Sequence, residues 1–178
     1  MSETRHEVLD VVAAIGLGIG GVFGIAGTLV SAAALRQTLW GIDGVALVAA
    51  TALLAVKFLR QACDSLAAGF LVFAIGESLL VSGNAAGLAA SVPSFGGGMA
   101  LWGAGLLLIS APRQFPSWVR ILGGVGAVLA LITAAEIFWG EQLLPISSPL
   151  PFFAYPFVVA TFAGWIWAIL RNPGSREP

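Results

Sequence analysis

Charge is what this sequence has least of. Only 10% of its 178 residues are Asp, Glu, Lys or Arg, against 58% hydrophobic, and the mean hydropathy is +0.97. A soluble domain carries about a quarter charged residues to cover its surface. Eight basic and nine acidic residues cannot solvate a globule of this size, so the bilayer is the solvent for most of the chain. The net charge of −1 lacks the basic footprint of a nucleic-acid binder, and no nucleic-acid partner is expected.

Reactive side chains are as scarce. One cysteine, Cys63, permits neither an intrachain disulfide nor a thiolate zinc site. One histidine, His6, rules out bis-histidine haem or a histidine-rich metal centre within a single chain. There is no Ser-His-Asp set, HExxH, Walker loop or CxxC. The Gly16-Leu-Gly-Ile-Gly-Gly run is like a phosphate loop in composition, but it falls inside an apolar segment with no strand before it. These absences point away from an enzyme and away from any metal or organic cofactor.

What the sequence does have is long apolar runs, at residues 9–34, 43–59, 65–83, 96–111, 118–139 and 152–170. Most reach the roughly 17–25 residues that a spanning helix needs, and the short second and fourth span with some bilayer thinning and snorkelling. The expected fold is all-α: a polytopic integral membrane bundle of six transmembrane helices, forming one transmembrane domain over residues 1–178. The first run reads as an uncleaved helix despite the small residues Ala32-Ala33-Ala34. It is much longer than the core of a secretory signal, and Glu3, Glu7 and Asp10 sit beside Arg5 in its flank.

Six spans sort the basic residues sharply. Arg5, Lys57, Arg60, Arg113, Arg120, Arg171 and Arg176 fall on one side and Arg36 alone on the other. By the positive-inside rule both termini are cytoplasmic, in a membrane of the bacterial inner (plasma) type. Trp40, Trp139 and Tyr155 fall at the outer interface and Trp118, Trp165 and Trp167 at the inner one, as aromatic belts do. Trp102, at mid-depth, reads as core packing. Pro93, Pro145, Pro149 and Pro151 mark outer loops, and Pro156 suits the first turns of the last helix.

Small residues recur at four-residue spacing: Gly16, Gly20 and Gly24 in the first span, and Gly123, Ala127, Ala130 and Ala134 in the fifth. In lipid such stripes let backbones approach closely. They predict a compact bundle, with the lipid bilayer as its main partner and room for a homo-oligomer or a membrane-protein partner. An internal repeat is also legible. Phe23-Gly-Ile-Ala-Gly-Thr-Leu-Val aligns with Phe73-Ala-Ile-Gly-Glu-Ser-Leu-Leu, and Gly44-Val-Ala-Leu with Gly98-Met-Ala-Leu. A further shift superposes Glu77 on Glu136. The reading is three tandem two-helix hairpins. In topology and size that layout resembles bacterial acid-resistance membrane proteins built from short two-helix repeats, a fold-level likeness that assigns no residue a role.

Two carboxylates, Glu77 and Glu136, lie inside spans. A charge at the bilayer centre costs ~2.5–3.5 kcal/mol on insertion scales, while the Leu, Ile, Phe and Val of the third span return about 4. Insertion tolerates Glu77 without explaining it. An intramembrane acid is a functional candidate once its partner is named, and Arg36 is the only cation on that side. The candidate polar site is therefore Glu77, Glu136 and Arg36, with Asn84 two turns above Glu77 and Thr133 one turn from Glu136. Two readings follow: an Arg36 clamp on one or both glutamates, or two glutamates lining an outward-facing cavity. Asp43 reads as the N-cap of the second span, and Lys57 as the partner of Asp64 across the turn between spans two and three.

For function, the sequence favours a non-enzymatic structural, stress-response or accessory module. The alternative is a small transporter or channel for a proton, cation or amine that uses Glu77 and Glu136. A lipid-modifying enzyme ranks last, since the glutamates and one arginine are its only material.

Overall fold

The computed structural model describes residues 2–171, with side chains from residue 8 onward. Arg176 and the side chains of Glu3, Arg5, His6 and Glu7 lie outside that description. The described chain is all-helical: α1 (Ser2–Leu29), α2 (Ala33–Arg60), α3 (Asp64–Ala86), α4 (Val92–Ser110), α5 (Ser117–Phe138) and α6 (Tyr155–Arg171). The first five are long and apolar enough to cross a membrane. At 17 residues, α6 is the shortest, at the lower limit of what spans a bilayer. Large apolar side chains such as Val22, Val45 and Ile121 are exposed on the outer faces, as lipid contact requires. The protein is a helical membrane bundle.

Helix ends follow local chemistry. α4 begins with Val92-Pro93, so the proline expected in a loop instead starts the helix, where its missing N–H is no loss. α3 is capped by Gly87, with φ of +88°, and α5 is followed by Gly140, with φ of +109°; both lie in backbone regions that favour glycine. Pro156 occupies the first turn of α6 as expected.

The helices pack as a closed ring. Each touches its neighbours in the chain, and α6 returns to α1; among the described residues no other helix pair brings its backbones close, and α3 and α6 meet across the ring through aromatic side chains alone. Contacts are dense from α1 through α5 and much sparser where α6 meets α5 and α1. Call the end away from the termini the distal end. It carries the α1–α2, α3–α4 and α5–α6 connections.

Glycines set the spacing within the ring. A Cβ at Gly16 on α1 would sit 2.9 Å from the Ala46 carbonyl oxygen on α2. One at Gly105 on α4 would sit 2.8 Å from the Gly69 carbonyl oxygen and 2.9 Å from the Phe73 nitrogen on α3. Backbones therefore touch directly, as dispersion-driven association in lipid favours. The interior beside these crossings is aromatic. Phe70 packs against Phe58 and Trp165, and Phe73 stacks on Trp102 at 4.9 Å. Trp165, expected at an interface, is 1% exposed, because the ring faces it inward among these phenylalanines.

Two sequence expectations need correction here. The second helix starts at Ala33, not near residue 43, after a connection of only three residues. Ala, Leu, Arg and Gln are strong helix formers, and the polar cluster at 36–38 is helical rather than looped. Lys57 does not pair with Asp64. Its ammonium donates to both oxygens of Asp10 at 2.7 and 2.8 Å, a partly buried pair that bolts α1 to α2 near the termini.

Gly105→Ala forces a methyl onto backbone and is expected to destabilise the protein by about 1–3 kcal/mol. Gly18→Ala, where a Cβ meets nothing within 4 Å, is expected to hold stability or raise it by up to about 1 kcal/mol. Thermal unfolding in detergent reads both.

Candidate functional site

Three described carboxylates are buried: Asp10, Asp43 and Glu77. Asp10 has its lysine. Asp43 and Glu77, at 9% and 3% exposure, have no basic partner among the described residues.

Helix register brings these two together. Asp43 lies about ten residues from the distal end of α2 and Glu77 about nine from that of α3, so both sit roughly 15 Å down. Asp43 rests on the glycine stripe of α1. A Cβ at Gly24 would be 2.9 Å from Oδ2, and one at Gly20 3.2 Å from Oδ1. Those glycines make room for a carboxylate as well as for a neighbouring helix. On the other side of α2, Glu77 Oε1 lies 3.0 Å from where a Cβ of Gly44 would be. Gly44 follows Asp43, so the two acids flank one short stretch of α2 backbone.

Both line a cavity of about 90 Å³ in the distal half of the ring. Every helix except α5 contributes to its wall, as does Pro145 of the α5–α6 connection. The wall is mainly apolar and aromatic, with Trp40, Phe95, Trp102, Tyr155 and Phe162 around the acids. No basic residue among the described ones lines it.

The polar neighbours of the acids are already engaged elsewhere. Trp40 donates its indole N–H to the Gly24 carbonyl at 3.2 Å, and Thr28 its hydroxyl to the same oxygen at 2.9 Å. Asn84 donates to the Gln37 carbonyl, Ser91 to that of Leu88 and Tyr155 to that of Pro145. Trp102 approaches Glu77, yet Trp102 Nε1, Glu77 Oε2 and Asp43 Oδ1 are all buried without a hydrogen-bond partner. Native proteins satisfy nearly all buried polar groups. Two carboxylates and an indole are thus left open around one space.

The structure sorts the sequence candidates unevenly. Glu77 lines the cavity, and Asn84 lines its distal wall. Glu136 does not line it: the residue is half-buried on α5, the one helix absent from the wall, and has no ion pair among the described residues. Thr133 is fully buried but bonds back to the Leu129 carbonyl, as threonines in helices commonly do. Arg36 clamps neither glutamate. Its guanidinium caps the end of α1, donating to the Val30 carbonyl at 2.7 Å, and lies 5.9 Å from the Trp40 ring centre. A helix C-terminus is a natural cation site, and this one lies closer to Arg36 along the chain than either glutamate.

Asp43 is the residue that sequence reasoning misplaced. As an N-cap it would have met water; inside α2 it faces the cavity. The available signal was the lack of a firm turn sequence between Ala33 and Ile42, which lets the helix run through.

No family model matches the chain, and neither a curated protein nor a solved structure matches it.

These contacts separate cavity acids from fasteners. Asp43→Asn and Glu77→Gln each replace a buried carboxyl group that has no partner among the described residues, so thermal stability is expected to hold or rise. Arg36→Ala strips the end of α1 of a charge-assisted hydrogen bond and is expected to lose about 1.5–3 kcal/mol. A marked loss of stability in both acid variants would show that they hold the bundle together instead.

Proposed function

We propose that this is a small cation-binding membrane protein of transporter or channel type, with Asp43 and Glu77 as the ligand-binding acids. One observation carries the reading: two buried carboxylates share an aromatic-walled cavity that holds no basic side chain among the described residues. Burying charge without a partner is costly, and a cation removes the cost for both acids at once. A proton or an inorganic cation satisfies the charges alone. An amine satisfies more, because its N–H groups donate to the carboxylates while its charge sits against aromatic faces. A small amine is therefore the preferred ligand. No bond-making chemistry is required of the site, and the protein is read as non-enzymatic.

The basic-residue asymmetry supports placing the termini in the cytoplasm and the cavity in the outer half of a bacterial inner membrane. Direct glycine crossings also support a structural or accessory module, alone or with a membrane partner on its exposed apolar faces. That second reading accounts for the packing but gives the two acids no purpose.

Calorimetric titration of methylammonium into protein held in nanodiscs tests the proposal. Binding is expected in the wild type. A charge-assisted hydrogen bond contributes about 1.5–3 kcal/mol, so Asp43→Asn and Glu77→Gln should each weaken binding about tenfold or more. Glu136→Gln should leave it unchanged. Equal binding by all four proteins, or none by the wild type, would overturn the proposal.

A further inference from the structure

The ring has one weak side. α6 touches α1 sparsely, and between them runs an apolar groove of about 410 Å³. On α1 it passes over Gly18 and Gly21; on α6 it passes Val159, Ala163 and Ile166. Beside Gly18 there is open space, with nothing within 4 Å of a Cβ placed there. The groove and the carboxylate cavity share three lining residues, Ile25, Val159 and Phe162. A single layer of side chains is thus the wall of both.

We propose that the site takes its ligand from the bilayer, through the α1–α6 seam, and that the ligand is a single-chain alkylammonium. The proposal rests on the amine-binding reading above and names the substrate class. The ammonium head occupies the cavity with Asp43 and Glu77, the chain passes between the side chains of Ile25, Val159 and Phe162, and the hydrocarbon tail lies in the seam groove. Two features select this occupant. The acids, with no cation beside them, attract a positive head and repel a phosphate-bearing one, which sets phospholipids aside. The groove is entirely apolar in its lining, as an alkyl tail requires.

Its length sets the tail. From Ile25 to Leu17 the groove follows about two turns of α1, roughly 12 Å. An extended chain advances about 1.2 Å per bond, so some ten carbons fill it. The glycines serve this arrangement, since larger side chains on that face of α1 would occupy the space of the tail.

The test compares decylamine with methylamine on wild-type protein and on Gly18→Leu, all in the same nanodiscs. Partitioning of decylamine into the bilayer is then common to both proteins and cancels. Leucine at position 18 fills the groove without touching the cavity, and it improves helix propensity. Decylamine affinity is expected to fall about tenfold or more in Gly18→Leu, with methylamine affinity unchanged. Ala163→Leu, from the opposite wall, should repeat the result through a different helix. If methylamine binds but decylamine affinity is the same in all three proteins, the groove holds only bilayer lipid and the seam proposal fails by itself. If both variants lose methylamine as well, groove and cavity are not separate and the proposal also fails. If neither amine binds the wild type, it falls together with the function proposed above.

Discussion

Where α1 meets α2, a methyl group added at Gly16 would lie 2.9 Å from a backbone oxygen, and the Gly69–Gly105 crossing of α3 and α4 is as tight. In water, helices are driven together by burial of apolar surface. In lipid that drive is absent, and association depends on contact itself. Glycine-lined crossings therefore determine which helices are neighbours and how far apart they lie. They also leave α6, which meets α5 and α1 only sparsely, as the loosest member of the ring.

The same glycines govern the interior chemistry. Gly20 and Gly24 form the surface on which Asp43 lies, and Gly44 lets Glu77 approach α2 from the other side. The fold thus holds two acids at one depth while sending every nearby donor but the Trp102 indole to a backbone carbonyl. Cations are kept for joints. Lys57 locks Asp10 near the termini, and Arg36 closes the end of α1 at the distal turn. The α1–α2 hairpin is fastened at both ends by charge, and between those ends the cavity is left acidic.

Much of the architecture was legible in composition and hydropathy. The helix type, their number and most of the boundaries follow from apolar run length, which depends on each residue's own solvation. Glu77 was legible for the same reason: an acid inside an apolar run stands out. Asp43 was not, because the choice between cap and core turned on whether residues 33–42 continue the helix. Those residues mix strong helix formers with polar side chains that suggest a loop. The Arg36–glutamate clamp failed on a different ground. Sequence showed one cation and two acids on one side of the membrane, but not the helix-end carbonyls that compete for the cation. Glu136 matched Glu77 in the repeat and in depth, yet it lies on the helix that takes no part in the cavity wall. Sequence alone does not fix which face of a helix turns toward the ring centre when apolar residues surround it on all sides.

The central claim is that Asp43 and Glu77 together hold a cation. Infrared difference spectroscopy of the carboxyl bands, recorded as methylammonium is added to the protein in bilayers, tests it most directly. The account predicts a change in two carboxyl signals, one lost in Asp43→Asn and the other in Glu77→Gln. A carboxyl region that does not respond, or a response that disappears only in Glu136→Gln, would contradict it.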